Sequence, residues 1–366
     1  MTEESGTSQK YSLNWQRREF LLRAGIIGAG GAIAYFIWQK QQSISQVTQS
    51  PVANTREDFG TIPRRMLGKT GVEVSALALG GAHLGNIKDD QVAVRIVQEA
   101  VDAGVNFLDN AWEYGKGRCE ELMGQALQGG RRDKAFLMTK VCTHGRDARV
   151  AMQQLEQSLQ RLKTDYIDLW QIHEVIYDND PELHFAKGGA VEALEQAKQQ
   201  GKVRFIGFTG HKDPAIHLKM LAYKYPFDTC QLPLNCFDAS FRSFEQQVLP
   251  ELQRQQIAAI GMKSLGGSGD ALKKGIVTVE EALRYAMSLP VVSTVSGIDS
   301  LAVLYQNLRI AGNFQPMSIE EMQAVRNRYA SYAADGRFEL YKTSKKYDGR
   351  PGREQHGFPL PQQLKL

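Results

Sequence analysis

The sequence predicts a closed (β/α)8 barrel that carries one extra helix and an irregular tail at its C-terminal end. Three observations predict it. Strand-like and helix-like patterns alternate with short connections from Ile62 onward, the arrangement that builds a parallel sheet. Eight such units fit into roughly 250 residues, which favours closure into a barrel over an open sheet. Several apolar strands also run straight into an ionisable residue: 105–109 into Asp109, 135–140 into Lys140 and 166–173 into His173. A titratable group at the carboxyl end of a buried strand is poor core design, but it is where a parallel barrel builds its chemistry.

Period and punctuation place the elements. Residues 74–79 read as the first strand, ending in Gly80-Gly81, with 89–103 as its helix. Strand 105–109 leads to a helix at 119–127, strand 135–140 to 148–162, and strand 166–173 to 190–200. Strand 203–208 precedes a helix at 214–224, 229–232 precedes 240–254, 257–262 precedes 279–288, and 291–295 precedes 301–310. A further helix at 318–330 opens with Ser318-Ile319-Glu320-Glu321, a capping box in which the Ser and the second Glu satisfy each other's backbone amides. The remaining stretch is rich in Gly, Pro and Lys and reads as irregular. The expected organisation is a signal or anchor with a polar linker over 1–56, the barrel over 57–335, and a tail over 336–366.

Composition narrows the class. Over 366 residues, 42% are hydrophobic and 23% charged, the balance of an ordinary globular chain. The net charge of +4 is small, and no basic run is interleaved with aromatics, so nucleic acid is not an expected partner. Cys119, Cys142, Cys230 and Cys236 form no C-x-x-C pair, and they read as small apolar residues rather than zinc or iron–sulfur ligands.

The N-terminus has its own signal. Gln16-Arg17-Arg18-Glu19-Phe20-Leu21-Leu22 is followed by a Gly/Ala-rich apolar run over 24–38. Paired arginines, a Phe two positions on and a weakly apolar segment form the arrangement of a twin-arginine export signal. As a helix the run would span about 22 Å, short of the roughly 30 Å core of a bilayer. The glycines at 25, 28, 30 and 31 resemble a dinucleotide fingerprint, but no strand precedes them and two arginines do, so that reading is rejected. No A-x-A cleavage site follows, and 39–56 reads as the linker of an uncleaved anchor. The expectation is export by the twin-arginine machinery to the periplasm or its equivalent, with membrane attachment through the apolar run; cleavage is left open.

The segments FLDNAWEYG, FLMTK, YIDLWQIH and GKVRFIGFTG, in that order and spacing, resemble the aldo-keto reductase superfamily over roughly residues 63–307. The resemblance implies a catalytic tetrad of Asp109, Tyr114, Lys140 and His173. Carbonyl reduction by hydride transfer needs a proton donor on the oxygen and stabilisation of its developing charge. A free Tyr, with a pKa near 10, donates poorly at neutral pH. On this reading Lys140 lowers the pKa of Tyr114, Asp109 keeps the ammonium charged, and His173 orients the carbonyl. A hydrolase built on Glu113 and Asp109 is discarded, because the pattern places no second catalytic carboxylate. Some relatives carry a C-terminal iron–sulfur module; no cysteine follows Cys236 here.

The cofactor set implied by the resemblance is Gly80, Gly81, Thr209, Gly210, Gln231, Met262, Lys263, Leu265, Gly266, Gly297 and Asn307. It departs from the family pattern in three places. Gly210 stands where an Asn holds the nicotinamide amide, Met262 where a Tyr stacks on the ring, and Val303 where a basic residue often meets the 2'-phosphate. NADP is the family default, and NAD is also admitted. The substrate-fixing loops, 84–88, 112–118, 142–148 and 174–188, carry no recognisable motif. Trp112 reads as a pocket wall, and Lys116 and Arg118 as solvated loop residues. His83, His144 and His211 read as lone loop histidines, and no short ligand spacing predicts a metal site. A cofactor-binding sensor or scaffold without useful turnover is the alternative function.

Overall fold

The computed structural model describes residues 58–142 and 147–350, together with 354, 360 and 363. Arg17-Arg18, the apolar run over 24–38, the linker and His144 lie outside the described residues. The described residues from Phe59 onward belong to one compact unit.

That unit is a closed barrel of eight parallel strands: β3 (Leu77–Gly80), β4 (Phe107–Asp109), β5 (Phe136–Val141), β6 (Ile167–Ile172), β7 (Val203–Thr209), β8 (Thr229–Pro233), β9 (Ala258–Met262) and β10 (Ser293–Gly297), with β10 closing onto β3. The expected first strand over 74–79 is in fact two elements. Glu73–Ser75 (β2) pairs antiparallel with Arg64–Met66 (β1) as a separate hairpin, and the barrel strand begins only after Ala76. The hairpin supplies Leu67 and Val74, which pack with Phe107, Phe136, Met138, Leu169 and Ile260 in one apolar cluster inside the barrel. A pattern that reads as a continuous strand is thus divided between barrel wall and floor.

The helices form the outer layer because their apolar stripes recur at helical spacing. In Asp90–Asp102, Ala93, Ile96, Val97, Ala100 and Val101 are buried, and Asp89 caps the first turn by accepting from Gln91 N. Ala148–Leu162 and Val279–Ser288 begin and end where the sequence places them. The expected helix over 240–254 is two shorter pieces, Phe244–Gln247 and Leu249–Gln255. Pro250 sits in the first turn of the second piece, where its missing N–H costs no helical bond. Ile319–Ala333 opens with the capping box read from Ser318 and Glu321. Among the described residues, no helix is long and apolar enough to cross a membrane.

The tail is irregular apart from one short helix, as expected, but it is packed against the barrel. Residues 336–349 contain the short helix Leu340–Thr343 and run back over the carboxyl face of the barrel as a strap. Lys342 is fully buried and donates to Asp238 Oδ1 (2.7 Å), Glu339 Oε2 (2.8 Å) and Phe241 O (2.8 Å). Tyr341 and Asn235 both bond Glu339 Oε1 from the opposite side. The strap also closes on the loop after β9: a Cβ on Gly266 would stand 2.5 Å from Phe338 O, and one on Gly267 would stand 3.2 Å from the Tyr341 ring. Both glycines have positive φ, so close approach and backbone conformation each call for glycine there.

Candidate active site

Three successive strand ends deliver the first charged groups. Asp109 ends β4, Lys140 is the penultimate residue of β5, and His173 follows β6. Tyr114 opens a 3-10 turn whose Gly115 and Lys116 have positive φ, reversing the chain so that the ring returns over the barrel mouth. Lys140 Nζ donates to Asp109 Oδ1 at 2.5 Å and to Asn110 O at 2.8 Å, and lies 3.4 Å from Tyr114 Oη. Asp109 and Lys140 are 2% and 1% exposed, so this is a desolvated ion pair with its remaining valences satisfied. The Tyr114 and His173 rings meet edge to face, with centroids 5.5 Å apart.

The electrostatics reverse one expectation. Lys140 does not bring Tyr114 below its ordinary range. Burial comes first, and the nearby charges of Asp109, Glu113 and Glu174 act with it, holding the phenol well above 10. Burial likewise lowers the Lys140 ammonium, against the opposing pull of Asp109. One ammonium cannot outweigh desolvation and three carboxylates, and two of those, Glu113 and Glu174, have no assigned role in the sequence reading.

Beside the tetrad lies a cleft of about 280 Å³, lined among others by Gly80, His83, Gln231, Met262, Lys263 and Gly297. Asp109, Tyr114 and Leu265 also reach it. Five residues implied for the cofactor lie outside its wall. Gly81 is packed so that a Cβ would stand 2.6 Å from Asp109 O, and Gly266 is covered by the strap. Thr209 is buried and accepts from Val175 N through its carbonyl. At Gly210 a Cβ would stand 2.2 Å from Val175 O, so the backbone of the loop after β6 leaves no room for a side chain there. Asn307 donates to Ser296 Oγ at 2.9 Å and thereby ties its helix to the end of β10.

A nicotinamide dinucleotide fits what remains. Gln231 donates to Asp109 Oδ2 at 2.6 Å, while its Oε1 faces the cleft buried and without a hydrogen-bond partner. An amide donor on a ligand would satisfy it. Lys263, Ser264, Gly267, Ser268 and Gly269 form the cleft wall after β9, a cation with hydroxyls and open backbone suited to phosphate. The Lys263 ammonium sits 5.5 Å and 5.6 Å from the Tyr341 and Tyr347 rings.

Other loop residues take different parts from those the sequence implies. Trp112 Nε1 donates to Gln157 and the indole lies beside Arg161, so Trp112 packs toward the helix layer. Arg118 is no solvated residue: it donates to Gly85 O and Ile87 O and pairs with Asp90, fixing the loop after β3. His211 is buried, not a solvated loop residue. Glu113 and Glu174 flank His173 unforeseen. A carboxylate directly before Tyr114 and another directly after His173 were the available signal.

Residues 76–276 match the Aldo/keto reductase family, and the chain belongs to that family. It is an oxidoreductase. An uncharacterized oxidoreductase of Bacillus subtilis (strain 168) is 27% identical over 309 residues, covering 72% of this chain and 95% of that protein. A second Bacillus subtilis protein, an aldo-keto reductase, is 30% identical over 210 residues, 54% of this chain and 60% of its own. The structure of an aldo-keto reductase from Bacillus halodurans in its holo form superposes with a TM-score of 0.62 at 25% identity, over 73% of this chain and 96% of that one.

Proposed function

We propose that the enzyme reduces an aldehyde or ketone to the alcohol with NADP as cofactor, NAD being accepted in its place. The observation that carries this reading is the Lys140 ammonium held between Asp109 and Tyr114. The reduced dinucleotide supplies the hydride when bound. Tyr114 gives its phenolic proton to the carbonyl oxygen as charge develops there, and Lys140 stabilises the phenolate left behind. Asp109 keeps that ammonium charged in a buried place, and His173 orients the oxygen. Burial and the three carboxylates keep Tyr114 protonated, the state required of a proton donor, and the reverse oxidation of an alcohol runs through the same groups. The match to the Aldo/keto reductase family over residues 76–276 and the unpartnered Gln231 Oε1 at the cleft support this reading.

Tyr114→Phe is expected to lower steady-state carbonyl reduction by about 10²-fold or more while leaving dinucleotide affinity unchanged by calorimetry. Near-parental turnover in that variant would sink the assignment. Absence of steady-state turnover in the unaltered protein on a carbonyl panel, with bound dinucleotide still oxidised once, would favour the sensor reading. With Val303 where a basic residue often sits, preference for NADP over NAD should be modest, and a thousandfold preference in titrations would contradict it.

We further propose that 1–56 is a twin-arginine signal or anchor and linker, 57–335 the barrel and 336–366 its tail, and that the enzyme is exported. Arg17-Arg18 ahead of an apolar run supports this. Arg17→Lys with Arg18→Lys should strand the protein in the cytoplasm, whereas cytoplasmic location of the unaltered protein would refute it. Since that route carries folded proteins, the exported enzyme should retain its dinucleotide.

A further inference from the structure

Around His173 the fold gathers more ligand chemistry than carbonyl reduction uses. His173 Nδ1 lies 2.9 Å from Glu113 Oε1, off the line of a hydrogen bond. Ligand atoms of Glu113, His173 and Glu174 all fall within 4.8 Å of one another. The two carboxylates converge beneath the strap: a Cβ on Gly349 would meet Glu174 Oε2 at 2.3 Å and Glu113 Oε2 at 3.5 Å. Glu174 reaches this place from a left-handed backbone, with φ of 54°.

A second, independent feature points to a ligand. His211, 3% exposed, has no hydrogen-bond partner on either ring nitrogen, and its Nε2 stands 3.6 Å from Glu174 Oε1. A buried imidazole left unbonded beside a carboxylate is costly unless something else takes its lone pair. The Cys142 thiol donates to Glu113 Oε2 at 3.1 Å and adds a soft atom to the rim.

We propose that Glu113, His173 and Glu174, with His211 completing the set, bind one divalent transition-metal ion of the zinc class beneath the C-terminal strap. Two carboxylates and two imidazoles suit zinc or cobalt, whereas magnesium and calcium prefer oxygen alone. Ligand atoms about 2.1 Å from a tetrahedral ion lie roughly 3.4 Å apart, a spacing that side-chain rotation from the present positions can reach. His173 would be held through its Nδ1 side. No short ligand spacing in the sequence marks this site, because its ligands come from three separate loops.

The test needs no substrate and does not depend on the reductase roles. Full-length protein, treated with chelator and dialysed, is titrated with Zn²⁺ by calorimetry and with Co²⁺ by visible absorption. One ion per chain is expected, with cobalt d–d bands of low-coordinate character. Glu174→Gln and Glu113→Gln, checked for fold by circular dichroism, should each weaken binding about tenfold or more. Should one variant fail to fold, the other carries the comparison, with His211→Gln as a third. No saturable binding, or equal affinity in the folded variants, would overturn the proposal.

Discussion

Lys342→Met tests whether the strap is an element separable from the barrel. Lys342 gives one hydrogen bond each to Asp238, Glu339 and Phe241, at 2.7–2.8 Å and with no solvent access. Met fills similar volume but leaves two buried carboxylates without their cation. Breaking a buried pair in this way costs about 3–5 kcal/mol. Around Lys342 the apolar hold is Phe338 and Tyr341, both buried, worth roughly 1.5–3 kcal/mol each; farther along, Lys212 holds Asp348 and Ser344 O. The loss is therefore as large as the apolar hold, and the strap should open before the barrel does. Asp238 also accepts from Ser243, Phe244 N and Glu245 N, and Glu339 Oε1 keeps Asn235 and Tyr341, so the damage falls mainly on Glu339 Oε2, which loses the Lys342 bond. Trypsin reports this directly, because Arg337, Lys345 and Lys346 are exposed on the strap. If cleavage follows the open population, a cost of about 3 kcal/mol raises its rate on the order of 150-fold. Adding Glu339→Gln should recover part of the protection. Unchanged cleavage, or a collapse of the whole fold with no selective cut, would refute the reasoning.

Other expectations follow from packing and titration. Gly210→Ala puts a methyl 2.2 Å from Val175 O and should destabilise the fold by about 1–3 kcal/mol or more; an unchanged melting temperature would contradict that. His217 is fully buried, and desolvation pushes its pKa down to about 3. The unfolded chain takes up that proton near pH 6.5 and the folded chain does not, so stability is intact above that pH and falls between pH 6.5 and 3. At pH 4.5 the loss is on the order of 3 kcal/mol, and His217→Leu should flatten that part of the melting-temperature profile. Tyr114, held above 10, keeps its proton through the alkaline range, so the rate of reduction should show no falling limb from this group below about pH 10. A limb near pH 8 that Tyr114→Phe abolishes would contradict the assigned electrostatics.

Much of this architecture was legible in the chain. Strand and helix periods are local, so alternation pointed to a parallel sheet and the count of eight units to its closure, and the capping box at Ser318 and Glu321 marked a real helix start. Asp109, Lys140 and His173 could be read because a barrel strand delivers its last residues to one face, whatever lies around it. What the sequence could not settle depends on distances between segments remote along the chain. Whether 74–79 is one strand or two depends on the hairpin partner at Arg64–Met66. The irregular-looking tail becomes a strap because Asp238, more than a hundred residues earlier, supplies the acid that Lys342 needs. The direction of the Tyr114 shift follows from burial and from Glu113 and Glu174, which only the closed barrel brings beside it. Periodicity reports which face of an element is apolar, whereas desolvation and charge act through space, and only the tertiary structure fixes which charges share a buried site.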